Sequence, residues 1–163
     1  MESGEERAEN VSEVCKIHPS SGAQDDPEYT VRPILIVEDN DDTRRALAML
    51  LSLEGYSVAT AEDGLAGLRA LLEQRPSLVL LDLTMPLMDG WEFREEQRSL
   101  PDAGLAAVPV IVLTALSDAQ RHARDLGAVG FIQKPIEFTV LLETVRRYCG
   151  NPGAPDQGPK LES

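Results

Sequence analysis

The sequence is short of positive charge. Its 163 residues include 15 Lys and Arg against 28 Asp and Glu, which gives a formal net charge of −13. The phosphates of nucleic acids and the surface of an anionic membrane would both repel such a chain. We therefore expect proteins, cations or small molecules as partners, and no nucleic acid.

Long hydrophobic runs and cysteines are also scarce. The longest largely apolar run, LAAVPVIVLTAL, is too short to span a bilayer, and the start, MESGEERAEN, lacks the basic and apolar regions of a signal peptide. These absences predict a cytoplasmic location without membrane insertion. The two cysteines, Cys15 and Cys149, form neither a disulfide framework nor a metal-binding cluster, so we expect both to be unpaired thiols.

The two ends of the chain differ in composition from its middle. Residues 1–32 are rich in Glu, Ser, Gly, Asp and Pro without a sustained apolar period, which predicts a disordered acidic tail. The Pro- and Gly-rich run NPGAPDQGPKLES predicts a flexible tail over residues 150–163. The folded domain is expected at residues 33–149, and no helix-turn-helix, cyclase or hydrolase segment follows it in the sequence. We therefore expect a single-domain protein.

Short apolar runs alternate with helical patterns through this middle part. PILIV, YSVAT, LVLL, PVIVL and VGFIQ are typical of strands, and the segments between them carry apolar residues at helical spacing. Apolar runs that do not alternate with polar residues indicate strands covered on both faces. The pattern predicts an α/β fold, a doubly wound five-stranded parallel sheet with helices on both faces.

Polar residues follow the predicted strands at one end only. Glu38 and Asp39 follow ILIV, Asp82 follows LVLL, Thr114 follows VIVL, and Lys134 follows FIQ. The carboxyl ends of parallel strands line one rim, where ligands bind, so these residues are expected to converge. Clustered carboxylates repel one another and need a cation, and oxygen ligands in a wet rim suit Mg²⁺, with Mn²⁺ as a substitute.

Lys134 is the only lysine between residues 33 and 150, where the other basic residues are arginines. A lysine offers a compact point charge on a flexible stem, which suits close contact with a carboxylate or a phosphoryl oxygen. Thr114 adds a hydroxyl donor. Together with a divalent cation, these groups predict a site for phosphoryl transfer to Asp82.

The segments ILIVEDND, LVLLDLTMPLMDG, VIVLTA and FIQKP resemble the signature segments of response-regulator receiver domains of two-component signalling. The resemblance covers residues 33–149. It implies the flavodoxin-like strand order 2-1-3-4-5. It also implies a signalling switch in a phosphorelay rather than an enzyme, one that assists its own phosphorylation and dephosphorylation.

The resemblance also assigns roles to the rim residues. Asp82 would be the phosphoacceptor, supplied by a histidine kinase or a phosphotransfer protein. Asp39, Asp82 and the backbone carbonyl of Thr84 would bind Mg²⁺ directly, and Glu38 would bind it through water. Lys134 would contact the phosphoryl group.

The same resemblance implies how the signal leaves the site. Thr114 and Phe131 would form a switch pair, in which the hydroxyl moves toward the phosphoryl group and the aromatic ring rotates inward. The Lys134–Pro135 peptide bond would be cis. A downstream protein target would bind along residues 115–148.

Two positions are expected to set the lifetime of the phosphorylated state, because hydrolysis needs a water in line with the scissile bond. They are Thr84, two residues after the acceptor, and Leu116, two residues after Thr114. A leucine side chain cannot orient a water by hydrogen bonding. A fairly long-lived phosphorylated state is the prediction.

Other readings remain open at this point. Glu38 and Asp39 could cap the next helix, in competition with Asn40, and Phe131 could be a core residue. A haloacid-dehalogenase-like aspartyl-phosphate hydrolase also places a nucleophilic Asp at a strand end, but carries a second Asp two residues later, where this chain has Thr84. A degenerate receiver acting as an unphosphorylated interaction module is the third reading.

Overall fold

The structure is a computed structural model that describes residues 16–17 and 30–152. A two-stranded antiparallel sheet pairs β1 (Lys16–Ile17) with β2 (Thr30–Val31). These four residues fall within the segment for which the sequence predicts disorder, and strands of two residues are too short to show a periodicity. The rest of the predicted N-terminal tail, and the C-terminal tail beyond residue 152, lie outside the described residues.

Five parallel strands form the central sheet, in the order β4-β3-β5-β6-β7. They are β3 (Ile34–Val37), β4 (Val58–Ala61), β5 (Leu78–Asp82), β6 (Val110–Thr114) and β7 (Gly130–Gln133). Every residue of β3, β5 and β6 is buried, as the uninterrupted apolar runs predict. The doubly wound five-stranded sheet and the flavodoxin-like order 2-1-3-4-5 are confirmed.

Helices cover both faces of this sheet. They are α1 (Asp41–Leu53), α2 (Gly64–Gln74), α3 (Gly90–Arg98), α4 (Ala103–Ala106), α5 (Ala119–Leu126) and α6 (Phe138–Cys149). Leu47 and Leu51 of α1 pack with Leu141 and Val145 of α6 in one core layer. Leu71 of α2 packs with Phe93 of α3 and Leu105 of α4 in the other. Both layers bury apolar stripes, the main favourable term in folding.

Four helices start at side chains that cap their first turn, and in α4 the cap is Asp102, which accepts a hydrogen bond from the Gly104 N–H at 2.9 Å. Asn40 accepts a hydrogen bond from the Thr43 N–H at 2.8 Å, and Asp63 accepts one from the Ala66 N–H at 2.8 Å. Asp89 forms a capping box at the start of α3. Because Asn40 caps α1, neither Glu38 nor Asp39 performs that role.

Two arginines of α3 donate hydrogen bonds to the C-terminal end of α5. Arg94 donates to the carbonyl oxygens of Leu126 and Gly127, both at 2.9 Å, and Arg98 donates to Leu126 at 2.5 Å. Cations are favourable at the C-terminus of a helix, where the last carbonyls lack partners. At the other end, Asp118 occupies the N-cap with φ 61° and makes no capping hydrogen bond.

Cys149, the last residue of α6, is buried and disulfide-bonded. The expectation of an unpaired thiol is therefore wrong at this position. Cys15 lies outside the described residues. Across residues 16–17 and 30–152, no helix combines the length and the apolar character needed to cross a membrane.

Gly90 provides a test of the packing that positions the acceptor strand. A Cβ at this residue would lie 2.6 Å from the backbone oxygen of Asp82 and 2.8 Å from Leu83 Cα, and backbone atoms cannot yield cheaply. We expect Gly90→Ala to lower the free energy of unfolding by about 1–3 kcal/mol in urea denaturation. Gly130→Ala is the matched control, because nothing lies within 4 Å of its Cβ position. Equal effects of the two substitutions would contradict the prediction.

Candidate functional site

Three carboxylates converge at the C-terminal rim of the sheet. Glu38 and Asp39 directly follow β3, and Asp82 ends the neighbouring strand β5. One oxygen from each carboxylate lies within 4.8 Å of the other two. Glu38 and Asp82 are only 1% and 4% exposed, whereas Asp39 is exposed. The rim therefore holds two buried acids and a third that faces solvent.

Lys134 supplies the positive charge that faces these acids. Its Nζ lies 2.8 Å from Glu38 Oε1 and 3.4 Å from Asp82 Oδ1. The Lys134–Pro135 peptide bond is cis, as the resemblance implies. Burial alone would lower the pKa of Lys134, but the hydrogen bond to Glu38 and the charge of Asp82 outweigh it and raise this pKa. The lysine is therefore held in its charged form.

Asp82 has the most strongly perturbed carboxyl group at the rim. Burial, followed by the charge of Glu38, raises the pKa of Asp82 from its ordinary 3.8 to about 7. The charge of Lys134 and the N–H of Thr84, which donates to Asp82 Oδ1 at 3.3 Å, act in the opposite direction. The charge of Lys134 therefore does not fully offset burial and the charge of Glu38.

The residues present fit a hard divalent cation. Three carboxylates with oxygens within 4.8 Å of one another suit the oxygen preference of Mg²⁺, and the charge of Glu38 contributes to the raised pKa of Asp82, as expected where acids are close together. The structure brings Glu38, Asp39 and Asp82 together as predicted. It places the N–H of Thr84 at the cluster, while the proposed role of its carbonyl oxygen stays a prediction.

The predicted switch residues lie on β6 and β7, the two strands that follow the acceptor strand β5 in the sheet. Thr114 ends β6, one residue beyond Leu113, which is the register partner of Asp82. Its hydroxyl is buried and accepts a hydrogen bond from the Leu116 N–H at 2.9 Å. Phe131 is 39% exposed, so it is not the core residue that its apolar character alone would indicate. Leu116 is likewise 38% exposed.

Two residues near the rim were not predicted. Arg44 donates to the carbonyl oxygen of Glu38 at 2.9 Å and pairs with Asp41, and its i, i+3 spacing from Asp41 is the available sequence signal. Gln133 donates from its Nε2 to the carbonyl oxygen of Leu116 at 3.0 Å. No pattern in the sequence indicates this second contact, because it depends on the register of β6 and β7.

A family model for the response regulator receiver domain matches residues 34–146. The chain belongs to the response-regulator receiver family. Receiver domains serve two-component signalling, and the five-stranded sheet described above is the fold of this family. Receiver domains bind Mg²⁺ at an acidic pocket, and this chain has an acidic cluster of Glu38, Asp39 and Asp82.

Relatives of known sequence extend beyond the receiver domain. The chain is 36% identical over 128 residues to the response regulator MprA of a Mycobacterium species, covering 77% of this chain and 54% of that protein. It is 37% identical over 115 residues to the transcriptional regulatory protein AfsQ1 of Streptomyces coelicolor, covering 69% of this chain and 49% of that protein. The chain therefore spans about half the length of the curated relatives it matches.

Solved receiver structures match the same part of the chain. The chemotaxis protein CheY4 of Vibrio cholerae superposes with a TM-score of 0.66 at 28% identity, covering 73% of this chain and 99% of that one. A second match is the receiver domain of the sensor histidine kinase PA1611 of Pseudomonas aeruginosa, which is described with a magnesium ion coordinated in its active-site cleft. It superposes with a TM-score of 0.65 at 29% identity, covering 73% of this chain and 98% of that one.

The raised pKa of Asp82 predicts how the stability of the metal-free receiver depends on pH. Between about pH 4 and pH 7 the unfolded carboxyl ionises while the folded one stays protonated. The folded state then binds more protons, so stability falls as pH rises through this window and levels off above it. In EDTA at pH 8 we expect Asp82→Asn to be more stable than wild type by about 1–2 kcal/mol, after allowance for screening by solvent at the rim.

The measurement is urea unfolding in EDTA at pH 5 and pH 8. Asp125→Asn, at an exposed position of α5, is the matched control and should track wild type at both pH values. The same stability difference between Asp82→Asn and wild type at the two pH values would show that burial of this carboxylate carries no pH-dependent cost.

Proposed function

We propose that Asp82 accepts a phosphoryl group from the phosphohistidine of a histidine kinase or a phosphotransfer protein. The observation that carries this proposal is the convergence of Asp82, two further acids and Lys134 at one rim. In the reaction, an Asp82 carboxylate oxygen forms a bond to phosphorus. The phosphorus–nitrogen bond of the donor breaks, and the donor imidazole leaves with the electron pair.

Lys134 and Thr114 act on the transferred group. The ammonium group lies 3.4 Å from Asp82, close enough to meet a phosphoryl oxygen on that carboxylate. The hydroxyl of Thr114 is one strand away and would donate a hydrogen bond to another phosphoryl oxygen. Phe131 would follow this motion inward, and its present exposure is that of the resting state.

Magnesium is the proposed cofactor, and Mn²⁺ could replace it. Asp39, Asp82 and the carbonyl oxygen of Thr84 would hold the ion directly, and Glu38 through water. When bound, Mg²⁺ neutralises charge on the phosphoryl oxygens during transfer. The contacts of Glu38 fit an indirect role, because its Oε1 accepts from Lys134 and its Oε2 accepts from the Asn40 N–H.

A groove beside Lys134 supports docking of a protein donor. It encloses about 450 Å³ between α1 and the segment after β7, and its walls include Ala46, Leu50, Pro135 and Ile136. An apolar groove that ends at Lys134 suits an amphipathic helix that carries a phosphohistidine. The downstream target would bind instead along residues 115–148, where Leu116, Val129, Phe131 and Val140 are exposed.

The proposal places the protein in the cytoplasm, where two-component phosphotransfer takes place. It also assigns protein partners, and no nucleic acid, to residues 33–149, which carry more acidic than basic groups. AfsQ1 is a transcriptional regulator about twice as long as the matched segment. The name of AfsQ1 therefore gives no evidence that a receiver domain contacts nucleic acid. That this chain acts as a single-domain regulator stays a prediction.

The two alternatives receive less support. A haloacid-dehalogenase-like hydrolase needs an acid two residues after the nucleophile, and the residue here, Thr84, reaches Asp82 only through its backbone N–H. A degenerate receiver would lack one of the chemical groups at the rim. Asp82, Lys134 and the acidic pair are all present and in contact range.

Phosphorylation by a small-molecule donor tests the acceptor. We expect wild type incubated with acetyl phosphate and Mg²⁺ to gain one phosphoryl group by intact-mass analysis, and to lose this gain in EDTA, because the cluster needs a cation. Asp82→Asn should not gain it. Asp125→Asn serves as the matched control and should react like wild type. A phosphorylated Asp82→Asn protein at the wild-type level would exclude Asp82 as the acceptor.

The lifetime of the phosphorylated state tests the role of Leu116. Its side chain is exposed beside the switch hydroxyl and cannot orient a water. We expect Leu116→Glu to lose phosphate about tenfold faster than wild type at the same Mg²⁺ and pH, since a carboxylate can position the attacking water. Leu116→Met is the control and should decay at the wild-type rate. If Leu116→Glu decays no faster while its Mg²⁺ affinity is unchanged, the side chain serves only in packing.

A further inference from the structure

Two hydrogen bonds hold Leu116, in the loop that joins β6 to α5. Its N–H donates to the Thr114 hydroxyl at 2.9 Å, and its carbonyl oxygen accepts from Gln133 Nε2 at 3.0 Å. We propose that Gln133 is a positioning residue that holds this loop against the switching motion of Thr114, and so limits how readily the receiver is phosphorylated. This inference rests on the proposed function.

The register of the sheet brings the three residues together. Gln133 is the last residue of β7 and pairs in register with Thr114, the last residue of β6. The next residue, Lys134, donates its backbone N–H to the Thr114 carbonyl oxygen at 2.8 Å. The backbone of Thr114 is therefore fixed to β7. The side chain of Thr114 and the loop that follows are the parts that remain free to rearrange.

Movement of the Thr114 hydroxyl is linked to movement of the loop. When the hydroxyl moves toward a phosphoryl group on Asp82, the Leu116 N–H loses its partner unless the loop follows. The loop can follow only if the bond from Gln133 to the Leu116 carbonyl lengthens or breaks. Gln133 therefore stabilises the arrangement in which the hydroxyl points to the loop, and a residue that stabilises one state lowers the population of the other.

Gln133 also shares a face of β7 with Phe131. Residues two apart on a strand point to the same side, and Ile132 between them is buried in the core on the opposite side. Phe131 and Gln133 are both exposed. Gln133 therefore lies on the same side of β7 as the aromatic ring of the switch pair. Its hydrogen bond to the Leu116 carbonyl oxygen connects that side of the strand to the loop.

The size of the expected effect follows from the exposure of the bond. Gln133 is exposed, so its removal leaves no buried group without a partner, and water can replace the lost donor at the Leu116 carbonyl. One neutral hydrogen bond of this kind corresponds to about a twofold to tenfold change in an equilibrium constant. Gln133 would thus tune the switch while contributing little to folding.

The test compares Gln133→Met, which keeps the length of the side chain but has no donor, with wild type. We expect Gln133→Met to be phosphorylated by acetyl phosphate twofold to tenfold faster, and to bind beryllofluoride with Mg²⁺ more tightly by a similar factor. In NMR spectra of the unliganded variant, the signals of the Leu116 amide and the Phe131 ring should shift toward their positions in the wild-type beryllofluoride complex. A merely structural role would not produce that shift. Gln133→Glu, which also lacks the donor, should change in the same direction.

Gln74→Met is the matched control, because Gln74 is an exposed glutamine on α2, away from the loop. It should match wild type in every measurement. If wild type is phosphorylated but Gln133→Met behaves like Gln74→Met or reacts more slowly, the inference about Gln133 is wrong and the proposed function stands. If wild type takes up neither phosphate nor beryllofluoride, the proposed function fails and the inference fails with it.

Discussion

The site depends on one ammonium group that faces two buried carboxylates. Glu38 directly follows β3 and Asp82 ends β5, two strands whose residues are all buried, and an unpaired charge in such a place is costly. Lys134, in the segment after β7, reaches Asp82 across β6 and Glu38 across both β6 and β5. The three groups therefore meet only when β3, β5, β6 and β7 are assembled in the observed order, which links the chemistry of the rim to the topology of the whole sheet.

The local structure around the rim leaves these groups available for chemistry. Asn40 caps α1, so neither acid beside it is the N-cap of that helix, and Glu38 Oε2 accepts from the Asn40 N–H at 3.1 Å. Lys134 forms its shorter contact with Glu38 and a longer one with Asp82, so the acceptor carboxylate is neutralised only in part. Burial and the charge of Glu38 raise the pKa of Asp82, and the charge of Lys134 offsets them only in part. The loss of stability of the metal-free domain at high pH and the affinity of the site for a cation thus have the same cause. The charge of the buried Asp82 carboxylate is only partly neutralised.

The sequence predicts the parts of the molecule that follow from periodicity and from strand ends. Uninterrupted apolar runs indicate buried parallel strands, and the rim residues Glu38, Asp39, Asp82 and Lys134 can be found because polar groups follow those strands. The four-residue helix α4 and the two-residue strands β1 and β2 are too short to show a period. The contact of Gln133 with Leu116 depends on register, and the bonded state of Cys149 depends on tertiary structure, so neither can be read from neighbouring residues.

The arginines of α3 give α5 unequal restraints at its two ends. Arg94 and Arg98 hold the carbonyl groups at its C-terminal end, whereas its N-terminal end follows directly on the loop of Leu116 and has no side-chain cap. The C-terminal end of α5 is therefore held more firmly than its N-terminal end. A displacement of the loop would therefore change the exposed surface of α5 more at its N-terminal end than at its C-terminal end.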